Sequence, residues 1–212
     1  MSNLRSVVDD QECSAKPSGP GRYSPTRRPV SEVLPTESIA AAIHPTSSYT
    51  FDSADHAEAV FAGTTPGNRY ARIDNPTTQS LADRVASLEG RGAGAGVALS
   101  SGQAATTSDM LALAKPGGTW LIADQVFGGT AAVASKILEP LGVNVRSVAP
   151  KPHAVRDALD DMSLGVWVET IANPSGFGPD LPALARIAHD GEVPLIVDNT
   201  VATPLLCRAF DH

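Results

Sequence analysis

Apolar residues recur at helical spacing most clearly in one stretch of the chain. Leu81, Val85 and Leu88 follow one another at intervals of four and three residues, so they would share one face of a helix. Thr77 can start this helix. Gly90 can end it, because glycine readily adopts the left-handed conformation that follows a helix C-terminus. The pattern therefore predicts a helix between these two residues.

After residue 96, short apolar runs alternate with segments of helical pattern. The predicted strands are residues 97–99, 119–123, 143–148, 166–171 and 195–197. The predicted helices between and around them are residues 103–114, 130–141, 154–162 and 181–188. Strands that alternate with helices form parallel sheets covered on both faces. The expected fold class is therefore α/β, with a mostly parallel sheet flanked by helices.

The first third of the chain has a different composition. Residues 1–33 are rich in Ser, Pro, Gly and charge without a sustained period, which predicts a disordered tail. Residues 34–76 combine an extended stretch, a short helix that Asp52 or Ser53 could cap and that ends near Phe61, and a loop. We therefore expect three parts: a tail at 1–33, an arm at 34–76 and a main domain at 77–212.

Charge and composition narrow the classes of partner. The net charge of −7, from 16 basic and 23 acidic residues, argues against a nucleic-acid or anionic-membrane surface. No apolar run approaches the roughly 20 residues of a membrane span, and the N-terminus lacks the apolar segment of a secretory signal. Cys13 and Cys207 make no disulfide framework. We expect a cytoplasmic protein and assign no metal site.

Two polar segments follow predicted strands, where ligands gather in open α/β sheets. In residues 100–104, Gly102 allows a ligand close to the backbone, and the following helix would offer free amides to an anion such as phosphate. Ser101 could equally be an ordinary helix cap. Asp198 ends the last predicted strand and could hold a protonated ring nitrogen, cap a loop or bind a metal.

Two further segments lie at the ends of other predicted strands. Asn173 precedes Pro174, which favours an extended backbone and could project the Asn173 amide towards a substrate carboxylate or a cofactor oxygen. Turn formation is the simpler alternative. Phe127 stands before two glycines and could stack on a planar cofactor, although aromatic residues in such positions more often join the core. The order of these segments at successive strand ends favours a shared binding site.

The four segments, together with residues 70–77 (YARIDNPT), resemble the Cys/Met metabolism family of pyridoxal-phosphate (PLP) enzymes. This family has the PLP-dependent transferase fold of type I and includes cystathionine γ-synthase, cystathionine and methionine lyases, and O-acetylhomoserine sulfhydrylase. The likeness runs from about residue 36 to the last residue. Residues 48–56, 169–174 and 194–208 look most like the O-acetylhomoserine sulfhydrylase branch.

The resemblance implies a role for each segment. Gly102 and Gln103 would offer backbone amides to the PLP phosphate, and Asp198 would face the pyridine nitrogen. Asn173 would face the cofactor O3′ or the substrate. Phe127 stands where the family normally has a tyrosine, so it would keep the stacking and lose the hydroxyl.

Tyr70 and Arg72 are implied to act between subunits. In the family the corresponding residues reach the PLP phosphate of a neighbouring subunit, and the planar guanidinium of arginine pairs well with phosphate oxygens. The resemblance therefore implies a homo-oligomer, at least a dimer.

The resemblance also implies a reaction and an incomplete catalytic apparatus. Sulfide would replace the acyl group of an activated homoserine ester to give homocysteine, with a lysine that bonds PLP and shuttles protons. The chain ends before that lysine and before the family's C-terminal domain, so we expect an N-terminal portion that is inactive as given. None of its lysines, Lys16, Lys115, Lys136 and Lys151, takes the required place.

Three alternatives remain from the sequence. The chain could be a non-catalytic protein that binds PLP or pairs with a full-length homologue. The parent enzyme could have cystathionine γ-synthase-type or methionine γ-lyase-type activity. A generic Rossmann-like nucleotide binder has the same layout, but no Gly-x-Gly-x-x-Gly turn follows the first strand of a βαβ unit.

Overall fold

The computed structural model describes residues 40–92 and 94–212, so the tail predicted at 1–33 lies outside the described residues. The helices and strands, in chain order, are α1 (Ala54–Phe61), α2 (Pro76–Leu88), α3 (Gly102–Ala112), β1 (Thr119–Ala123), α4 (Gly128–Val133), β2 (Asn144–Val148), α5 (Pro152–Ala158), β3 (Ser163–Glu169), α6 (Leu181–Asp190), β4 (Leu195–Asp198) and α7 (Thr203–Leu206). A π turn (Ala134–Leu138) and a 3₁₀ turn (Glu139–Leu141) continue α4. No helix in this part of the chain is long and apolar enough to cross a membrane.

The four strands form one parallel sheet in the order β2-β1-β3-β4. β1 lies in the middle, between β2 and β3, and all five of its residues are buried. The predicted α/β class with a mostly parallel sheet is therefore confirmed.

Apolar side chains cover both faces of the sheet, because successive residues of a strand point to opposite sides. On one face Trp120, Ile122 and Trp167 pack with Met110 and Leu138, which belong to α3 and the π turn. The other face packs against α5 and α6, and its buried residues include Leu121, Val166, Val168, Val155 and Leu184. The loops that line the site therefore extend from a sheet whose two faces are both buried against helices.

Side-chain oxygens fix the starts of four helices. Ser53 caps α1 by accepting a hydrogen bond from the His56 amide, and Asn75 caps α2 in the same way. Ser101 and Asp180 cap α3 and α6. These bonds satisfy amides that have no acceptor within their own helix. The helix predicted to begin at residue 77 therefore begins slightly earlier, with its cap at Asn75.

The strand predicted at residues 97–99 is wrong. These residues belong to no sheet, and Val97 and Leu99 are 84% and 43% exposed. A strand requires a neighbour for its backbone N–H and C=O groups. Among the described residues no strand lies beside this segment, because β4 pairs only with β3. The apolar residues of this segment indicated burial, but they do not show whether a neighbouring strand is present to pair with it.

The clearest predicted helix is confirmed as α2, but its apolar stripe is not covered. Leu81, Val85 and Leu88 are 59%, 46% and 48% exposed, whereas the buried residues of α2 are Ala82 and Ala86. Helical spacing identified the helix correctly. The described chain covers the side of α2 that carries Ala82 and Ala86.

Candidate functional site

A pocket of about 270 Å³ lies where the carboxyl ends of β1, β3 and β4 meet the N-terminus of α3. This volume is close to the lower end of the range of roughly 300 to 1,000 Å³ for small-molecule sites. The residues that line it are Gly102, Gln103, Thr106, Phe127, Glu169, Ile171, Asn173, Asp198, Thr200 and Val201. The pocket thus brings together five of the seven predicted site residues.

The order of the strands explains the position of the pocket. The chain leaves β1 for β2 on one side, and then crosses to β3 on the other side of β1. Ligands bind in open α/β sheets at such a switch point, where the loops after two neighbouring strands diverge. Phe127 follows β1, whereas Glu169 and Asn173 stand at the end of β3 and in the loop after it.

The N-terminus of α3 forms one wall of the pocket. Ser101 accepts a hydrogen bond of 3.1 Å from the Ala104 amide, so its role as an ordinary helix cap is present. The first amides of a helix have no acceptor within it, which leaves those of Gly102 and Gln103 suited to an anion. A Cβ on Gly102 would meet nothing within 4 Å, and both Gly102 and Gln103 line the pocket.

Asp198 occupies the end of β4 and faces the pocket. Its Oδ1 accepts hydrogen bonds from the amide and the hydroxyl of Thr200, at 2.9 and 2.5 Å. The carboxylate therefore caps the turn after the strand and also lines the pocket. Of the three roles that the sequence left open for Asp198, the capping of a loop is present in the structure, and the role towards a ring nitrogen stays a prediction.

Phe127 presents its ring to the pocket rather than to the core, and it is 45% exposed. The ring and the side chain of Gln103 converge on Gly129. A Cβ on Gly129 would lie 2.6 Å from Phe127 Cε1 and 2.9 Å from the Gln103 carboxamide. Gly129 therefore permits a close approach of these two side chains that any larger residue would prevent.

Asn173 lies in the loop after β3 and is exposed. Its amide N–H donates to Glu169 Oε2 at 2.9 Å, and the Asn173–Pro174 peptide bond is cis. Glu169 is the site residue that the sequence reasoning missed. An acidic residue at the end of an apolar buried strand was the available signal.

Tyr70 and Arg72 do not line this pocket. Tyr70 forms an isolated antiparallel bridge with Ser48, and the Arg72 guanidinium lies 5.2 Å from the centre of the Tyr70 ring. This is a cation–π distance. Both residues are exposed, and their predicted action on a partner subunit stays a prediction.

No lysine is among the residues that line the pocket. Lys115 lies in the connection between α3 and β1, Lys136 in the π turn and Lys151 at the N-cap of α5. Lys16 lies outside the described residues. Among the described residues, those that line the pocket therefore include the start of a helix, an aromatic ring and carboxylates, but no amine.

Comparisons with known proteins identify relatives of this chain. The chain is 41% identical over 171 residues to O-acetyl-L-homoserine sulfhydrylase of Corynebacterium glutamicum, which covers 80% of this chain and 39% of that protein. It is 41% identical over 160 residues to O-acetyl-L-homoserine sulfhydrylase 1 of Thermus thermophilus, covering 74% and 38%. It is 35% identical over 164 residues to homocysteine/cysteine synthase of Saccharomyces cerevisiae, covering 77% and 36%.

A solved structure shows the same fold with a PLP derivative. The O-acetylhomoserine (thiol)-lyase of Campylobacter jejuni, which carries N′-pyridoxyl-lysine-5′-monophosphate, matches with a TM-score of 0.77 and 31% identity over 82% of this chain and 43% of that chain. The chain spans about two fifths of the length of the curated relatives described above. The model of the Cys/Met metabolism PLP-dependent enzymes matches residues 29–212, and the chain belongs to this family.

Proposed function

We propose that this chain is the N-terminal portion of a PLP-dependent enzyme that replaces the acyl group of an activated homoserine ester by sulfide to give homocysteine. The observation that carries the proposal is the single pocket that unites Gly102, Gln103, Phe127, Asn173 and Asp198 at the carboxyl ends of parallel strands. The names of the relatives, sulfhydrylases and a homocysteine synthase, support this reaction over the cystathionine γ-synthase and methionine γ-lyase types.

The pocket fits PLP in the chemistry of its groups. The start of α3, where Gly102 and Gln103 line the pocket, suits a phosphate, because the partial positive charge of a helix N-terminus favours an anion. Asp198 provides a carboxylate that can keep a ring nitrogen protonated. When bound, PLP supplies a ring that withdraws electrons from the substrate.

Two further residues would orient the ligands. The Phe127 ring is exposed at the pocket and can pack flat on a planar ring, excluding water from one side. Asn173 can direct its side-chain amide to a substrate carboxylate. Phe127 cannot accept or donate a proton, so any proton transfer at this position would need another group.

We further propose that the chain by itself binds PLP without a covalent bond and does not turn over substrate. The residues lining the pocket include no lysine to bond the cofactor or to move protons. The purified chain is titrated with PLP, and the emission of its two tryptophans is followed. The mixture is then reduced with borohydride, and pyridoxyl-lysine is mapped by mass spectrometry. We expect saturable quenching and only weak, scattered labelling.

The matched comparison in this experiment is pyridoxal, which lacks the phosphate. Weaker quenching by pyridoxal than by PLP is expected if the α3 amides bind phosphate. Equal quenching by both would contradict the phosphate assignment. Stoichiometric labelling of one lysine, together with sulfhydrylase activity, would contradict the proposed inactivity of the chain.

A second candidate function is a non-catalytic protein that binds PLP or pairs with another copy of the family. The observation that favours it is that Tyr70 and Arg72 are exposed away from the pocket of their own chain, where a partner could use them. Arg72→Ala and Asp198→Ala chains, differently tagged, are mixed so that mixed dimers form. One site of each mixed dimer would carry both defects and the other neither.

The outcome of this mixing is quantitative. Random pairing of equal amounts makes half of the dimers mixed, so about a quarter of all sites should bind PLP with the parent affinity. If Arg72 serves its own subunit, every site carries at least one defect and none recovers. Failure of PLP binding to recover, with mixed dimers demonstrated by both tags, would refute the shared site. Failure of the chains to associate at all would refute the pairing function.

A further inference from the structure

Glu169 is a buried carboxylate to which the sequence assigned no role. It ends β3 with 5% of its surface exposed, and no Lys, Arg or His of the described residues forms an ion pair with it. A buried charge is costly unless hydrogen bonds compensate the loss of water. Here two backbone amides do so: the Phe127 N–H donates to Oε1 at 2.6 Å, and the Asn173 N–H donates to Oε2 at 2.9 Å.

The two amides belong to different loops. Phe127 follows β1 and Asn173 follows β3, which are neighbouring strands at the switch point of the sheet. Strand alternation turns Glu169 to the same face as Trp167, towards α3 and α4. The Glu169 carboxylate is therefore hydrogen-bonded to both loops, one of which carries the Phe127 ring and the other the Asn173 side chain.

We propose that Glu169 is a positioning residue: its carboxylate fixes the spacing of the Phe127 and Asn173 loops and thereby the shape of the PLP pocket. The proposal deepens the proposed function and rests on it for the ligand. A carboxylate suits this task because each of its two oxygens can accept from one N–H donor. A glutamine would turn an NH₂ donor towards one of these two donors and lose that bond.

The test compares the parent chain with Glu169→Gln, Glu169→Asp and the control Glu139→Gln. Glu139 is exposed and lies in the 3₁₀ turn, so its variant makes the same chemical change away from the pocket. Amide hydrogen exchange, resolved for Phe127 and Asn173 by NMR, is measured first without ligand. PLP affinity is then measured by tryptophan quenching.

In Glu169→Gln we expect exchange at Phe127 or Asn173 to accelerate about tenfold or more, and PLP affinity to fall about tenfold, as the loss of one hydrogen bond to a charged group implies. Glu139→Gln should match the parent in both measurements. Glu169→Asp retains the charge but is one methylene shorter, so it should protect only one of the two amides and bind PLP with intermediate affinity.

The results also separate this inference from the proposed function. If the parent chain does not bind PLP, the proposed function fails, whereas the exchange data still decide whether Glu169 holds the two loops. Unchanged exchange and affinity in Glu169→Gln would overturn the inference, as would uniform acceleration throughout β1 and β3, which indicates general destabilisation. If Glu169→Gln does not fold, the aspartate variant decides, and its equality with the parent in both measurements overturns the inference.

Discussion

Replacement of Gly129 by alanine tests whether the position of the Phe127 ring controls binding in the pocket. The added Cβ would lie 2.6 Å from Phe127 Cε1 and 2.9 Å from the Gln103 carboxamide. Gly128 precedes it at the start of the same helix, and a Cβ there would meet nothing within 4 Å. Gly128→Ala is therefore a control that makes the same change in the same helix without the contact.

The structure indicates how large the effect should be. Apolar carbons are in best contact at about 3.5–4.0 Å, so the Phe127 ring must move by roughly 1 Å. The ring is 45% exposed and free to move outward, so folding should be little affected. Alanine also favours a helix over glycine by about 0.5–1 kcal/mol, which applies to both variants. Aromatic stacking contributes about 0.5–1.5 kcal/mol, so its loss should weaken PLP binding about 2- to 10-fold.

The assay combines urea unfolding with PLP titration. Gly128→Ala should bind PLP as the parent does and be slightly more stable. Gly129→Ala should be about as stable as the parent and bind PLP more weakly. Equal PLP affinity of the two variants would refute the reasoning, because it would show that the ring does not contribute to binding. A large loss of stability in Gly129→Ala would show that the ring cannot move as described.

Three further predictions concern stability and the cofactor. Gly165→Ala would place a Cβ 2.6 Å from the Trp120 ring in the core, and urea unfolding should show a loss of about 1–3 kcal/mol. Arg146 donates to Asp160 at 2.9 Å and holds the pKa of Asp160 below its ordinary value of 3.8, so this stabilisation exists above about pH 4 and is lost as the pH falls through the folded-state pKa. Asp160→Asn should accordingly lower the Tm at pH 7 and have a diminishing effect in acid. Asp198→Ala should leave the Tm near that of the parent and weaken the quenching of tryptophan emission by PLP. Unchanged quenching would show that Asp198 does not contribute to cofactor binding.

Most of the pocket could be predicted from the sequence because its residues follow successive parallel strands. Phe127, Asn173 and Asp198 are far apart along the chain, but the carboxyl ends of parallel strands lie at one edge of a sheet. Gly102 and Gln103, the first residues of α3, line the pocket at the same edge. The role of each segment was ambiguous when the segment was considered alone, and the parallel sheet brings the segments together in one pocket.

Glu169 could not be assigned in the same way. Its function depends on two backbone amides that belong to Phe127 and Asn173. Backbone donors are present at every residue except proline, so the sequence gives no indication of which amides a buried carboxylate will meet. The sequence showed only an acidic residue where an apolar strand ends. The three-dimensional arrangement of two loops was needed to show its partners.

The wrong strand at residues 97–99 and the uncovered stripe of α2 have one physical cause. A single apolar groove is lined by residues that include Leu81, Val85, Val97, Leu99 and Phe210. An apolar pattern predicts that a surface is buried, but it does not identify what covers that surface. The segment at 97–99 and the side of α2 that carries Leu81 and Val85 share this surface. The described residues leave that surface open, so the helix, whose hydrogen bonds are internal, forms without cover, whereas the strand, which needs a neighbour, does not.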